Sequence, residues 1–306
     1  MTIRHLRIFI EVADSGKMSI AASNLFLSQP TVSQTIKELE QHYGVLLFER
    51  FCKKLYITEQ GKRLLSYARY VVNQFDDLEE NMIQSKHVEK IRIGTTVTIG
   101  NCILSNILSS FNESNPEVET YAYVNNTKII EEKLLNSELD IGIVEGEIKS
   151  SDLVCIPEVE DYLVLVCSTK HPFASRKEIK LNELSGVGFA MREKGSGTRE
   201  LFEDYMLKNG VTIKTKWESN CPGAIKRAVL ENQHLAAISV RLVEEEIKDG
   251  EIHVIQNSEC AWNRHFSIVY HKNKFINKSM EDLIEVVKNY KHMDILEEVK
   301  TGWLVK

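Results

Sequence analysis

Two groups of side chains carry the chemistry that this sequence can do. Gln29, Thr31, Ser33, Gln34 and Lys37 stand close together in one short stretch. Glutamine can pair with adenine in the major groove of DNA, serine and threonine hydroxyls take either partner, and lysine reaches guanine or phosphate. The second group is Arg192-Glu193-Lys194-Gly195-Ser196-Gly197-Thr198-Arg199. Its glycines let the backbone come close to a ligand. Ser196 and Thr198 add hydroxyls at a helix N-terminus, a composition suited to a carboxylate, phosphate or sulfate. Glycine-rich loops with a capping threonine also serve purely structural ends in many proteins.

The elements that position the first group can be read from apolar spacing. In Ser19 to Glu40, SIAASNLFLSQPTVSQTIKELE, the apolar residues Ile20, Ala21 and Leu25, then Val32, Ile36 and Leu39, recur at helical intervals in two blocks. Phe26 and Leu27 between them allow only a tight turn. Ser19 and Ser28 are the expected N-caps, and Pro30 belongs near a helix start, where its missing donor costs little. With the apolar face turned to the core, the polar group points outward. A second helix whose first residues face the bases is helix-turn-helix geometry.

The stretch from Ser19 through Arg50 follows SxxxAAxxLxxSQPxVSxxIxxLExxxGxxLFxR apart from small spacing shifts, and Ile57-Thr58-Glu59-Gln60-Gly61 follows it. Together they resemble the DNA-binding domain of LysR-type transcriptional regulators, and the likeness continues more loosely along the chain. The resemblance implies an α/β protein with an N-terminal winged helix-turn-helix, a long linker helix and a C-terminal two-lobed Rossmann-like effector domain of the periplasmic-binding-protein kind. It implies double-stranded promoter DNA as a partner, RNA polymerase as another, and self-association into a homodimer or homotetramer. The expected DNA-binding residues are Ser28, Gln29, Pro30, Thr31, Ser33, Gln34, Lys37, Arg50, Lys53 and Lys54.

Charge agrees with this division. The whole chain carries -6, yet residues 1–63 carry +3 and the remainder -9. Only the first segment has the sign that releases counterions from a phosphate backbone. With 306 residues, 43% hydrophobic and 27% charged, the chain has length for two or three ordinary soluble domains. No stretch approaches the roughly 18 apolar residues that span a bilayer. Glu11 and Asp14 interrupt what a signal peptide would need, so a cytoplasmic protein without membrane contact is expected. Cys52, Cys102, Cys155, Cys167, Cys221 and Cys260 are scattered with no CxxC pair, which predicts reduced thiols and no metal site. GxSxG, HExxH, the P-loop and GxGxxG after a strand are all missing, so neither catalytic residues nor a cofactor are expected. Cys221, beside Pro222, is the thiol that a redox-sensing alternative would use.

Further along, Leu46-Leu47-Phe48 reads as core and Arg50 to Lys54 as the basic tip of a hairpin, laid along phosphate. From Thr58 to about Lys86 a long helix places Leu65, Ala68, Val72, Phe75 and Met82 at heptad positions, widened by Leu64, Val71 and Leu78. Glu79 interrupts the stripe. A second copy of the helix is the simplest cover for such a stripe. From Ile91 onward strands alternate with helices, as βαβ units require. The boundaries expected are 1–58 for the DNA-binding domain, 59–89 for the linker and 90–306 for the effector domain. The family resemblance divides the last into lobe I (90–162 and 267–306) and lobe II (163–266), crossing near Tyr162 and Phe266. A small-molecule effector, anionic in character, is expected between the lobes, where strand ends and helix starts converge. Its expected contacts are Thr96, Thr98, Asn126, Thr127, Glu145, Gly195, Ser196, Gly197, Thr198 and Asn220. Asn232-Gln233-His234 replaces the Gly-x-Gly of many relatives and predicts an altered turn, and residues after His292 read as helical.

Overall fold

Burial of apolar side chains at helical spacing builds the N-terminal unit. The computed structural model describes residues 1–51, 54–83, 89–290, 299 and 301–306. Helices α1 (Ile3–Ser15), α2 (Met18–Asn24) and α3 (Gln29–Tyr43) close over Leu6, Phe9, Val12, Ala21, Ala22, Val32, Ile36 and Leu39. Ser28 caps α3, its hydroxyl accepting from the Thr31 N–H at 3.2 Å. Ser19 does not cap α2, contrary to expectation: α1 ends at Gly16, and the extended Lys17 is the N-cap, so Ser19 falls inside the first turn.

Strands β1 (Phe48–Phe51) and β2 (Lys54–Ile57) form an antiparallel wing. Glu40 pins its base by accepting from the Leu47 and Phe48 N–H groups at 2.8 and 3.3 Å. Leu47 and Phe48 are buried as expected, whereas Leu46 is 64% exposed. Its carbonyl is engaged instead, accepting from the Thr58 hydroxyl at 2.8 Å. That hydroxyl also accepts from the Gly61 N–H at 2.9 Å and so opens α4 (Glu59–Ile83). A Cβ at Gly61 would land on the Leu47 carbonyl oxygen. Lys53 lies outside the described residues, as do the side chains of Arg50 and Lys54.

The apolar stripe of α4 divides in two. Ala68 and Val72 turn into the core of their own unit. Tyr67, Val71, Leu78 and Met82 form an outer row of exposed side chains on the neighbouring face. Ion pairs Arg7–Asp76 and Arg69–Asp14 tie α4 to α1.

By compactness the chain forms two units, Met1–His87 with Leu135–Ser137, and Val88–Leu134 with Glu138–Lys306. The second begins with β3 (Lys90–Thr96), α5 (Val97–Cys102), α6 (Leu104–Ser114), β4 (Glu119–Asn125), α7 (Thr127–Leu135) and β5 (Ile141–Glu145). Ile103, off helical geometry, divides the helical stretch after β3 into α5 and α6. There follow β6 (Leu153–Ser168), β7 (Glu178–Lys180), β8 (Gly188–Met191), α8 (Gly197–Lys208), β9 (Lys214–Glu218) and α9 (Pro222–Asn232). The remaining elements are β10 (Ala236–Ser239), α10 (Glu244–Lys248), β11 (Ile252–Asn257), β12 (Asn263–His271), α11 (Lys278–Lys288) and β13 (Thr301–Val305).

Among the described residues the main sheet runs β4-β3-β5-β12-β6-β11-β13-β7, with β10 also on β6. The long strand β6 serves both halves of it. Its residues up to Tyr162 pair with β12, and from Leu163 they pair with β10 and β11. The change of partner therefore falls between Tyr162 and Leu163. One core gathers Ile91, Ile93, Ile141, Phe266 and Ile268 under α6 and α11; a second gathers Leu163, Leu165, Phe189, Phe202 and Trp262. The expectation that 267–306 all returns to the first lobe needs correction. β12 and α11 do return, but β13 pairs in parallel with β11 and β7 and buries Leu304 in the second core. The residues following His292, Ile295 and Leu296 among them, lie outside the described residues up to Val299.

Candidate functional site

The first turns of α3 present a polar surface to solvent. Ser28, Gln29, Pro30, Thr31, Gln34 and Lys37 are exposed and Ser33 is half-buried, while Val32, Thr35 and Ile36 point inward. A groove beside this surface is lined by Arg4, His5, Ile8, Pro30, Thr31, Gln34, Thr35 and Glu38. Within it Gln34 Nε2 donates to Glu38 Oε1 at 2.9 Å, and Glu38 Oε2 lies 3.1 Å from His5 Nε2. The hydrogen bond from Gln34, then that from His5, holds the Glu38 carboxyl below the usual range. His5 and Glu38 orient the Gln34 side chain, a role that their residue types did not signal.

In the second unit the expected effector residues converge on Glu145, at the end of β5. Its carboxylate is 1% exposed. Thr96 donates to Oε2, and Thr98 donates to Oε1 at 2.9 Å. The Glu145 carbonyl accepts from the Thr127 hydroxyl at 2.7 Å, and that hydroxyl accepts from the Gly197 N–H at 3.3 Å. Strand ends of one half are thereby joined to the start of α8 in the other. The approach is backbone to backbone: a Cβ on Gly146 would sit 2.6 Å from Gly197 Cα, and one on Gly197 would sit 2.6 Å from Glu145 O. Asn126 caps α7 by accepting from the Ile129 N–H at 3.0 Å, and the Gly195 carbonyl accepts from the Lys128 N–H at 3.3 Å.

Ser196 is the N-cap residue of α8, yet its hydroxyl makes no cap bond, is buried, and meets no hydrogen-bond partner among the described residues. Thr198 is buried and accepts from Arg264 Nη1 at 2.8 Å. Asn220 stands exposed, with no hydrogen bond tying it to this group among the described residues.

Sequence reading missed the buried polar pair that backs the site. Asp161 on β6 accepts from Arg264 Nε at 2.7 Å and from the Ser239 hydroxyl at 2.7 Å, and lies 3.5 Å from Arg241 Nε. Arg264 Nη2 is buried without a hydrogen-bond partner. The one available signal was Asp161 beside the apolar run Leu163–Cys167, at the expected crossing. Arg199 was part of the quoted loop; its guanidinium holds the Arg192 carbonyl at 3.0 Å and Glu218 at 2.7 Å, fixing the loop to β9.

Cys102, Cys155, Cys167, Cys221 and Cys260 are free thiols. Burial pushes Cys102 and Cys167 up to about 12, and for Cys102 the Asp161 charge adds to the effect. Gln233 ends α9 in the left-handed region at φ 54°, the altered turn that Asn232-Gln233-His234 predicts. His234 lies in that turn, its N–H bonded to the Ala228 carbonyl at 3.3 Å. No grouping of metal-ligating side chains occurs among the described residues, and no described helix is long and apolar enough to cross a membrane.

Two family models match the chain. The bacterial regulatory helix-turn-helix protein model of the lysR family covers residues 3–62, and the LysR substrate binding domain covers 84–291. The HTH-type transcriptional regulator CysL of Bacillus subtilis is 28% identical over 294 residues, with 95% of this chain and 98% of CysL covered. A full-length OxyR variant from Pseudomonas aeruginosa shares the fold with TM-score 0.65 at 23% identity, covering 94% of this chain and 95% of its own. The regulatory domain of CcmR from Synechocystis, solved in complex with 2-PG, matches with TM-score 0.61 at 24% identity over 66% of this chain and 98% of its own.

Proposed function

Because the chain belongs to the LysR family of DNA-binding transcriptional regulators, with a helix-turn-helix unit and a substrate-binding domain, we propose specific roles for the residues described above. Gln29, Thr31, Ser33 and Gln34 read base edges, and Lys37 reaches guanine or phosphate. Ser28 and Pro30 set the start of the helix. Arg50, Lys53 and Lys54 on the wing supply sequence-independent phosphate contacts. The observation that carries this reading is the solvent-facing polar first turn of α3, on a helix whose other face is fully committed to the core.

Residues 1–58 act as the reader, 59–89 as the linker and 90–306 as the effector domain. Two copies pair through the outer row Tyr67, Val71, Leu78 and Met82 of α4, and further contacts between effector domains would give a tetramer. Pairing sets two recognition helices against the halves of an inverted repeat, about one DNA turn apart. RNA polymerase is the further partner, and the protein works in the cytoplasm.

The effector is a small molecule with an anionic group, held where the hydroxyl of Ser196 and the first turn of α8 meet Thr96, Thr98, Asn126, Thr127 and Glu145. Gly195, Gly197 and Thr198 shape that loop, and Asn220 flanks it. The CcmR domain, with its bound 2-PG, supports a small-molecule site in this fold. An effector changes DNA binding only to the extent that it binds one lobe arrangement better than the other.

A gel shift of the full chain on its own upstream DNA tests the reading. Salt-sensitive retardation that survives non-specific competitor is expected. Equal retardation of unrelated duplex would defeat the base-reading assignment.

A further inference from the structure

The groups around the start of α8 do not suit a simple anion. Glu145 places a carboxylate 1% exposed among them, and no Lys, Arg or His nitrogen forms an ion pair with it among the described residues. Its hydrogen-bond partners are the hydroxyls of Thr96 and Thr98. A carboxylate offers about four lone-pair sites, so two hydroxyl donors leave part of its capacity unused. A buried charge without a counterion is costly. A second anion brought beside it would add to that cost.

The opposite need exists a short way along the chain. Thr198 and Arg199 stand in the first turn of α8, and their N–H groups have no intrahelical acceptor. The Ser196 hydroxyl beside them is buried and unpartnered, and so is Nη2 of Arg264, whose Nη1 already touches Thr198. These donors lie close to the acid: Gly197 binds Thr127, Thr127 binds the Glu145 carbonyl, and Gly146 packs on Gly197. One lobe thus offers an acceptor with unused capacity and the other offers unpartnered donor atoms, on segments whose backbones touch.

We infer that the effector is a zwitterion of α-amino-acid type, whose ammonium group faces Glu145 and whose carboxylate faces Ser196, Arg264 and the first turn of α8. This rests on the reading that the cleft is the effector site and narrows it from an anion to a molecule carrying both charges. An ammonium group has three donors to give a carboxylate, and a carboxylate accepts from a hydroxyl, a guanidinium and backbone N–H groups together. Because the two poles contact different lobes, such a ligand would favour one lobe arrangement over another.

Thermal-shift and calorimetric titration of the full chain would use single L-α-amino acids, propionate, ethylamine, sulfate and phosphate as probes. Wild type is expected to bind one or more amino acids while propionate and ethylamine, each lacking one pole, fail. Glu145→Gln, nearly isosteric, should weaken amino-acid binding by roughly tenfold to a hundredfold, the loss of one charged hydrogen bond. Ser196→Ala should weaken it too without lowering the unfolding midpoint, since it removes a hydroxyl that bonds to nothing. If propionate, sulfate or phosphate bind as tightly as any amino acid, and Glu145→Gln retains or improves that binding, the zwitterion is wrong and the anionic cleft stands. Amino-acid binding indifferent to Glu145→Gln would also overturn the assignment. Silence from every probe would remove both readings together.

Discussion

Helices α3 and α8 both open on a serine N-cap followed by a polar first turn, and they use it in opposite ways. Ser28 spends its hydroxyl on the Thr31 N–H, so α3 is complete in itself and Gln29, Gln34 and Lys37 are left standing in solvent. Ser196 makes no cap bond, and the first turn of α8 is buried against Thr127, Glu145 and Arg264. An exposed polar surface can lose a side chain with little harm to the fold. A buried polar junction cannot, because each group left behind keeps its desolvation cost without its partner.

The contrast can be tested from its costlier end. Asp161→Ala would leave Arg264 buried without its carboxylate, and removing one partner of such a pair typically costs about 3–5 kcal/mol. Urea unfolding of the full chain should register this loss, and a change of under about 1 kcal/mol would show the pair to be better hydrated than its burial implies. Gly197→Ala drives a Cβ into the Glu145 carbonyl and Gly146 Cα. Neither neighbour is a flexible side-chain end, so a loss of about 1–3 kcal/mol is expected. A midpoint equal to wild type would mean that the two loops part easily.

A smaller effect comes from pH. Burial lowers the imidazole pKa of His171, His253 and His271, and the Asp152 and Lys272 charges act on His271 as lesser influences. His171 Nδ1 accepts from the Phe173 N–H at 3.1 Å, as a neutral ring can. A folded value below the unfolded one of about 6.5 means that the unfolded chain takes up protons first. The stabilisation is therefore complete above about pH 6.5 and is lost as pH falls through the folded values. Melting curves from pH 7.5 to 5 should show a decline that His171→Asn reduces, since asparagine caps without titrating. An unaltered decline would assign the effect to His253 and His271.

How much could be read in the sequence follows the same division. The α3 surface was legible because Val32, Ile36 and Leu39 fix one face by local period alone, which leaves the other face by subtraction. Thr96, Thr98 and Glu145 were reached by asking which residues end parallel strands. Asp161 and Arg264 were not, because they are a hundred positions apart and meet only through the pairing of β6 with β12. β9 escaped notice because all five of its residues are exposed and carry no alternation. β13 lies beyond the last apolar pattern that read as a helix, and only its pairing with β11 and β7 assigns it to the second lobe. The α4 stripe was seen as one band; nothing in a heptad distinguishes Ala68 and Val72, which face the unit's own core, from Met82, which does not.

The reading surface itself is tested most directly by selecting duplexes from a random pool with wild type, Gln29→Ala and Lys37→Ala. Wild type should enrich a two-fold-related sequence. Gln29→Ala should relax preference at one position in each half-site, costing on the order of 1–3 kcal/mol there, with the unfolding midpoint unchanged. Lys37→Ala, if it holds phosphate, should weaken all sequences alike and reduce the salt slope by about one. Identical enrichment by wild type and Gln29→Ala would contradict the assignment of α3 as the helix that reads the bases.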